Sequence, residues 1–530
     1  MSPDGQQPRL LHDILDRAAA RFPEHVALTD HRRGLTYREL AAASRQAAAV
    51  FEGRGVRRGD RVVISASDGP STATALYALS RLGAVFSVLH EQVRGGPLEH
   101  VLRDSEPVLL VTDADEARDT ARATGTACVS PAELLEPAAS GPLPEPGTLG
   151  VDPVCLIYTS GTTSLPKAVV STHQQMLFAA SAIQQSLRYR ADDIVFCPLP
   201  LSFDYGLYQL FLAALSGAQV RLATPTEAGP PLLRSLESSG ATVLAGVPSV
   251  SDRLAWLLSR SGPGRGGPAG LRLLTNTGAA LPAETMTALR SALPGLRVQV
   301  MYGLTECKRA AIMPPDGDLD RPGSSGLPLA GTEMYVASDT GERLPPGEIG
   351  QFVVRGPHVM AGYWRRPELT AERFHRAEGL FPELRTGDYG WMDEDGYVYF
   401  SGRRDDLYKE RGFRVSCTEV EAAARRVPQV SAAAVLPPRD GKPALLAVVS
   451  ELPTDELLAL MREQIEPFKV PRRCVRLPEL PVNGNGKVDR RRLASLVSAD
   501  ASRPATAGAT SPATSPATAT ATAPHHPQPH

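Results

Sequence analysis

The chain has 530 residues, 42% of them hydrophobic and 22% charged, a balance too apolar for a mainly disordered protein. Its 56 basic residues nearly match 58 acidic ones for a net charge of −2, so no global field favours nucleic acid or an anionic membrane. At about 150 residues per domain, the length predicts three or four units, or one large catalytic body with a smaller partner.

The amino terminus lacks a basic stretch followed by an apolar core, and no apolar run reaches the roughly 18 residues of a membrane span. A soluble protein is expected. Six cysteines (Cys128, Cys155, Cys197, Cys307, Cys417 and Cys474) form no CxxC pair, which argues against zinc and thiol-exchange motifs and for a reduced, cytoplasmic setting.

From about residue 10 to 310, short apolar runs alternate with helix-periodic stretches. Arg61–Ser65, Ala84–Leu89, Val108–Thr112, Val154–Tyr158, Ile194–Cys197, Val243–Ala245, Leu271–Leu274 and Val298–Val300 all read as strands. Continuous apolar strands separated by helices predict an α/β protein of mostly parallel sheets covered by helices. Composition then shifts. Residues 333–400 read as hairpins, with strands at Met334–Ala337, Gly350–Arg355 and Gly396–Phe400, and predict a small β-unit closing the large domain. Residues 405–496 carry a short α+β pattern with helices near 418–426 and 454–466. The Pro-Ala-Thr and His residues after 497 cannot bury a core and predict a disordered tail.

The most informative stretch is Tyr158-Thr-Ser-Gly-Thr-Thr-Ser-Leu-Pro-Lys167, directly after a strand. Its hydroxyls, glycine and lysine could wrap phosphate oxygens with donors and positive charge. A Walker loop fails, because position 166 is Pro and Lys167 is followed by Ala. A polar surface turn would not demand this order of residues. A second block, Met301-Tyr-Gly-Leu-Thr-Glu306, again follows an apolar strand. A third runs from Arg385-Thr-Gly-Asp388 through Ser401-Gly-Arg403-Arg-Asp405 to Gly412, Glu419 and Glu421. The fourth is Pro481-Val-Asn-Gly-Asn-Gly-Lys487-Val-Asp-Arg490, a tight turn able to present one long cation. An exposed lysine on a turn is commonplace by itself; the order of the four blocks gives it meaning.

Together these blocks resemble the adenylate-forming superfamily of acyl-CoA synthetases, peptide-synthetase adenylation domains and luciferases. Ser164 departs from the family's usual glycine, and Tyr408 stands where an aliphatic residue is commoner. The resemblance implies a large ATP- and substrate-binding domain (1–404), a small mobile lid (405–496) and a hinge at Asp405. It gives Thr159, Ser160, Gly161, Thr162, Thr163 and Lys167 to the phosphates, and Tyr302 to adenine. Thr305 falls to the α-phosphate, Glu306 to Mg²⁺, and Asp388 with Arg403 to the ribose. Lys487 becomes the catalytic cation, bridging the acid's carboxylate and ATP. The implied second step hands the acyl group to a phosphopantetheine thiol on a separate carrier protein or on CoA, with Gly412 on the loop that meets it.

The acid is read from Leu199-Pro-Leu-Ser-Phe-Asp204-Tyr-Gly-Leu-Tyr208. Amino-acid-activating relatives place such an Asp against the substrate's ammonium; the alternative is that Asp204 caps the following helix. By the same resemblance Tyr205, Tyr208, Ser249, Thr275, Thr277, Met301, Arg309 and Ala310 line a small, closed pocket. Lys308-Arg309 is unusual there and would meet a carboxylate or pair with Asp204. The expected activity is ATP-dependent loading of one amino acid, such as proline, onto a carrier in a natural-product pathway. The rival readings are an acyl-CoA synthetase for a fatty or aromatic acid, and an idle binding module. Retention of Lys167, Glu306, Asp388 and Lys487 speaks against the last.

Overall fold

The computed structural model describes residues 7–65, 69–135, 147–159, 166–261, 267–376, 381–403, 406–410, 413–439, 443–465, 467, 469–483 and 487–500. Ser160–Thr163, Gly412 and Asp405, singled out above, and the tail from 501 lie outside these residues. Two large sheets dominate. A nine-stranded sheet contains six neighbouring parallel strands in the order Arg297–Tyr302, Leu273–Asn276, Val243–Gly246, Ile194–Cys197, Gln219–Leu222 and Val26–Thr29. A seven-stranded sheet has a parallel centre, Pro153–Thr159, Val85–Val88, Arg61–Ser65, Leu109–Thr112 and Ala127–Val129.

Between the sheets lies the main core, which draws Ile64, Phe86 and Ile157 from one and Val195, Val243 and Leu273 from the other. The helix Asp204–Ser216 explains why the layer holds: its sequence is apolar on every side, and Asp204 through Ala214 are all buried. A helix of that kind has no solvent face and must be enclosed. Gly206 lets it sit close, since a β-carbon there would lie 2.5 Å from Pro200 O. The parallel strands all end at one edge, where Cys197, Gly246, Asn276 and Tyr302 finish, the edge at which open α/β sheets hold ligands.

One strand was not expected. Lys167–Thr172 pairs antiparallel with Pro153–Thr159, bringing Thr159 opposite Lys167. The polar motif is therefore the connection of a hairpin. The small β-unit is formed by Glu333–Ala337, Gly350–Arg355, Glu383–Met392, Val398–Arg403 and Phe374–His375. A separate carboxyl-terminal domain follows, with a sheet of Val430–Leu436, Leu445–Ser450 and Arg473–Arg476 and its own apolar core. Its second helix runs only from Thr454 to Met461, shorter than the 454–466 expected; a helix running into Pro467 loses a backbone donor and clashes with the preceding turn. No helix among the described residues is long and apolar enough to cross a membrane.

Candidate active site

The residues expected to hold the nucleoside gather where the nine-stranded sheet meets the β-unit. Tyr302 closes its strand, and its hydroxyl donates to Asp388 Oδ2 at 2.7 Å. Asp388 and Arg403 are direct cross-strand partners, with Arg403 Nε 3.3 Å from Asp388 Oδ1. Burial pushes the Asp388 carboxyl above the ordinary range, opposed by Arg403 and the Tyr302 hydroxyl. The Tyr302 ring packs at a tilt against Phe352 and Phe400.

Beyond the half-buried Thr305, the buried Glu306 accepts the Tyr363 hydroxyl on Oε1 at 2.6 Å. Tyr363 pairs with Val169 across a strand, which sets its ring 3.9 Å from the Lys167 ammonium. Burial lowers the Lys167 pKa, and Glu306 partly restores it. Tyr363 was missed in the sequence. Nothing in Gly362-Tyr363-Trp364 distinguishes a residue that touches both a motif lysine and a motif carboxylate.

The residues expected to line the acid site gather around the helix Asp204–Ser216. Asp204 is its first residue, one past the N-cap position held by Phe203. The Asp204 carboxylate lies 3.4 Å from Arg309 Nη1, both side chains being buried. The Arg309 guanidinium stacks 4.7 Å from the Tyr205 ring, and Tyr205 is held by its hydroxyl donating to Thr275 O at 2.9 Å. Thr277, Met301 and Ala310 are buried, whereas Ser249 is exposed.

Lys308 is the anomaly. Its residue is 0% exposed, yet among the described residues Nζ has no hydrogen-bond partner, and neither does the buried Tyr208 hydroxyl. The Tyr208 ring lies 5.9 Å from the ammonium. Burial lowers the Lys308 pKa, opposed chiefly by Asp204. The tight turn after Glu306 (Lys308 φ 62°) delivers this side chain inward.

Lys487 comes from the small domain on a pinned turn. Asn483 N donates to Lys487 O at 2.8 Å, Lys487 N donates to Asn483 Oδ1 at 3.1 Å, and Asp489 N donates to Pro481 O at 2.8 Å. Arg490 then fastens the turn to the domain, donating to Glu421 Oε1 at 2.6 Å and to Val435 O at 3.2 Å. The Lys487 chain crosses to the large domain: its Cε lies 3.3 Å from where a β-carbon on Gly278 would sit, and Gly278 holds φ 91°. Any side chain at 278 would be strained and would crowd the lysine. Burial lowers the Lys487 pKa most, Arg403 and Arg309 lower it further, and Asp204 and Asp388 raise it. One ammonium thus feels both the acid pocket and the nucleotide end.

A family model described as AMP-binding enzyme matches residues 15–364, and one described as AMP-binding enzyme C-terminal domain matches residues 419–487. The chain belongs to the AMP-binding enzyme family. Among its relatives, a feruloyl-CoA synthase of Amycolatopsis is 32% identical over 89% of this chain and 96% of that protein. An L-proline--[L-prolyl-carrier protein] ligase of Streptomyces coelicolor is 32% identical over 87% of this chain and 91% of the other. The solved complex of VinN with L-aspartate is 40% identical, with a TM-score of 0.66, covering 74% of this chain and 98% of VinN. This AMP-binding enzyme is accordingly an AMP-forming acid–thiol ligase: it joins a carboxylic acid to a thiol through an acyl-adenylate. Two anions must meet in that reaction, so fixed cations are required where they converge.

Proposed function

We propose that this ligase activates an amino dicarboxylic acid of the aspartate class, and passes it to the phosphopantetheine thiol of a separate carrier protein. The observation that carries the reading is Lys308, a wholly enclosed amine without a hydrogen-bond acceptor among the described residues. Burying such a group is costly unless an anion completes it; of the described carboxylates that act on it, Asp204 is already engaged by Arg309 and Glu306 by the Tyr363 hydroxyl. A second substrate carboxylate would meet Lys308 and the orphaned Tyr208 hydroxyl, while Asp204 would take the ammonium. Proline would leave Lys308 unpaired, and so would a fatty or ferulate-like acid. The likeness to VinN, solved with L-aspartate, supports the same class. CoA is the alternative acceptor, as the feruloyl-CoA synthase relative illustrates.

In this reading the reacting carboxylate oxygen attacks the α-phosphorus of ATP; its bond to the bridging oxygen breaks, and pyrophosphate leaves with the electron pair. Lys487 holds the attacking carboxylate and the α-phosphate in line. Tyr302, Asp388 and Arg403 orient the nucleoside, and Thr159, Lys167 and Thr305 serve the phosphates. Glu306 suits Mg²⁺: it is buried, Tyr363 occupies only one of its oxygens, and one carboxylate with substrate phosphates is an ordinary magnesium environment. Bound there, the ion supplies charge neutralisation of the phosphates. The small domain would then turn about Asp405, withdrawing Lys487 and admitting the thiol.

The substrate assignment is tested at Asp204. Wild-type exchange should strongly favour aspartate over succinate, its counterpart without an amino group. Asp204→Asn should cut kcat/KM for aspartate by roughly 30-fold or more, the scale of a lost charged hydrogen bond in a buried site, and erase the preference. An unchanged preference would place the ammonium elsewhere.

A further inference from the structure

Arg373 was not among the residues marked by the motifs. It ends the helix Pro367–Arg373, and the next two residues, Phe374–His375, are strand-paired to Glu383–Leu384, so its backbone is fixed beside the β-unit. Its Nη1 lies 2.5 Å from where a β-carbon on Gly387 would sit, with Gly387 at φ 75°. The missing side chain opens the seat for the guanidinium, one residue before Asp388. On its other side the Arg373 charge acts on the Tyr363 hydroxyl, opposing the upward push of burial on its pKa, and that hydroxyl bonds to Glu306. Tyr363 is therefore flanked by Lys167 on its ring face and by Arg373 at its hydroxyl. Half-buried as it is, Arg373 forms no ion pair with a described carboxylate.

The charged groups fall into two overlapping sets, since Arg373 and Glu306 also act on Asp388. Lys487 is surrounded by Arg403, Asp204, Asp388 and Arg309, the acid and α-phosphate side. Lys167 is surrounded by Glu306, Arg373 and Glu372, on the other side of Tyr363. That second set has two cations facing the single buried carboxylate Glu306, and the Glu372 carboxylate is exposed. We propose that Arg373, with Lys167, binds the β- and γ-phosphates of ATP and steadies them as departing pyrophosphate. A guanidinium fork suits two phosphate oxygens at once, and no proton need move for it to act. The inference rests on the adenylate-forming reading, and adds a residue to its leaving-group side.

Calorimetry in Mg²⁺ buffer, without any acid, separates the two. Arg373→Gln should weaken binding of ATP and of pyrophosphate by about 10- to 100-fold, the range of one charged hydrogen-bond pair, while AMP binds within about twofold of wild type. Arg373→Lys should recover part of the loss. Equal weakening of AMP would overturn the proposal, because Arg373 would then act only as a prop for Gly387 and Asp388. Unchanged pyrophosphate affinity would overturn it as well. Because no acid is present, these outcomes stand whichever acid is activated; failure of every acid to drive exchange in the wild type would instead sink the reading of the preceding section.

Discussion

Lys487→Ala should lower acid-dependent adenylate formation by roughly 100- to 1,000-fold, the usual loss when one fixed donor is removed from a developing oxyanion. The lysine is well placed for so large a share. Its chain lies against Gly278, and its charge is felt by Asp204 on the acid side and by Asp388 on the nucleotide side. Transfer from preformed acyl-adenylate to a thiol should stay within about twofold of wild type, since that step no longer needs the two anions to be brought together. The split matters. Loss of both steps, with a lowered melting temperature, would point to a damaged turn rather than a missing ammonium.

Lys308→Met should reverse the acid preference and strengthen the fold. Removing one member of a buried charge contact costs about 2–5 kcal/mol, so kcat/KM for an amino dicarboxylic acid should fall by a factor of about 30 or more. Activity with neutral amino acids should be retained or rise. The stability effect follows from burial. Lys308 has a folded pKa below its unfolded value of about 10.4, so between the two the unfolded chain binds the extra proton. Wild-type stability therefore rises with pH across that window. Below the folded pKa the penalty is complete; above about 10.4 it is gone. The Met variant lacks this slope, so its advantage in melting temperature should be greatest at low pH and shrink towards pH 10. A variant that is less stable at neutral pH would mean that Lys308 already has a partner, and the argument for a second carboxylate would fail.

Much of this arrangement was legible in the sequence because the chemistry is concentrated in short ordered blocks. The parallel strands could be read from continuous apolar runs, and the blocks that follow Pro153–Thr159 and Arg297–Tyr302 sit at strand ends, where ligands gather. Lys308 and Arg309 stood out as odd, but their division of labour did not. Only the folded turn assigns Arg309 to Asp204 and leaves Lys308 without a hydrogen-bond partner among the described residues. Tyr363, Arg373 and Gly278 were invisible for a different reason. Each acts through a neighbour from a remote segment: Tyr363 through Glu306 and Lys167, Arg373 through Gly387, and Gly278 through Lys487. Such contacts are products of sheet register and domain packing, which leave no local pattern to read. The strand Lys167–Thr172 went unrecognised because its motif lysine drew attention to the loop rather than to the apolar run behind it.

The most direct test of the central claim is ATP–pyrophosphate exchange by the unmodified protein across a matched panel: L-aspartate, succinate, alanine, proline and an aromatic acid. Exchange should be dominated by L-aspartate or a close amino dicarboxylic relative, with succinate and alanine each weaker because each lacks one of the two recognised groups. Vigorous exchange with proline or the aromatic acid, and none with any amino dicarboxylic acid, would contradict it.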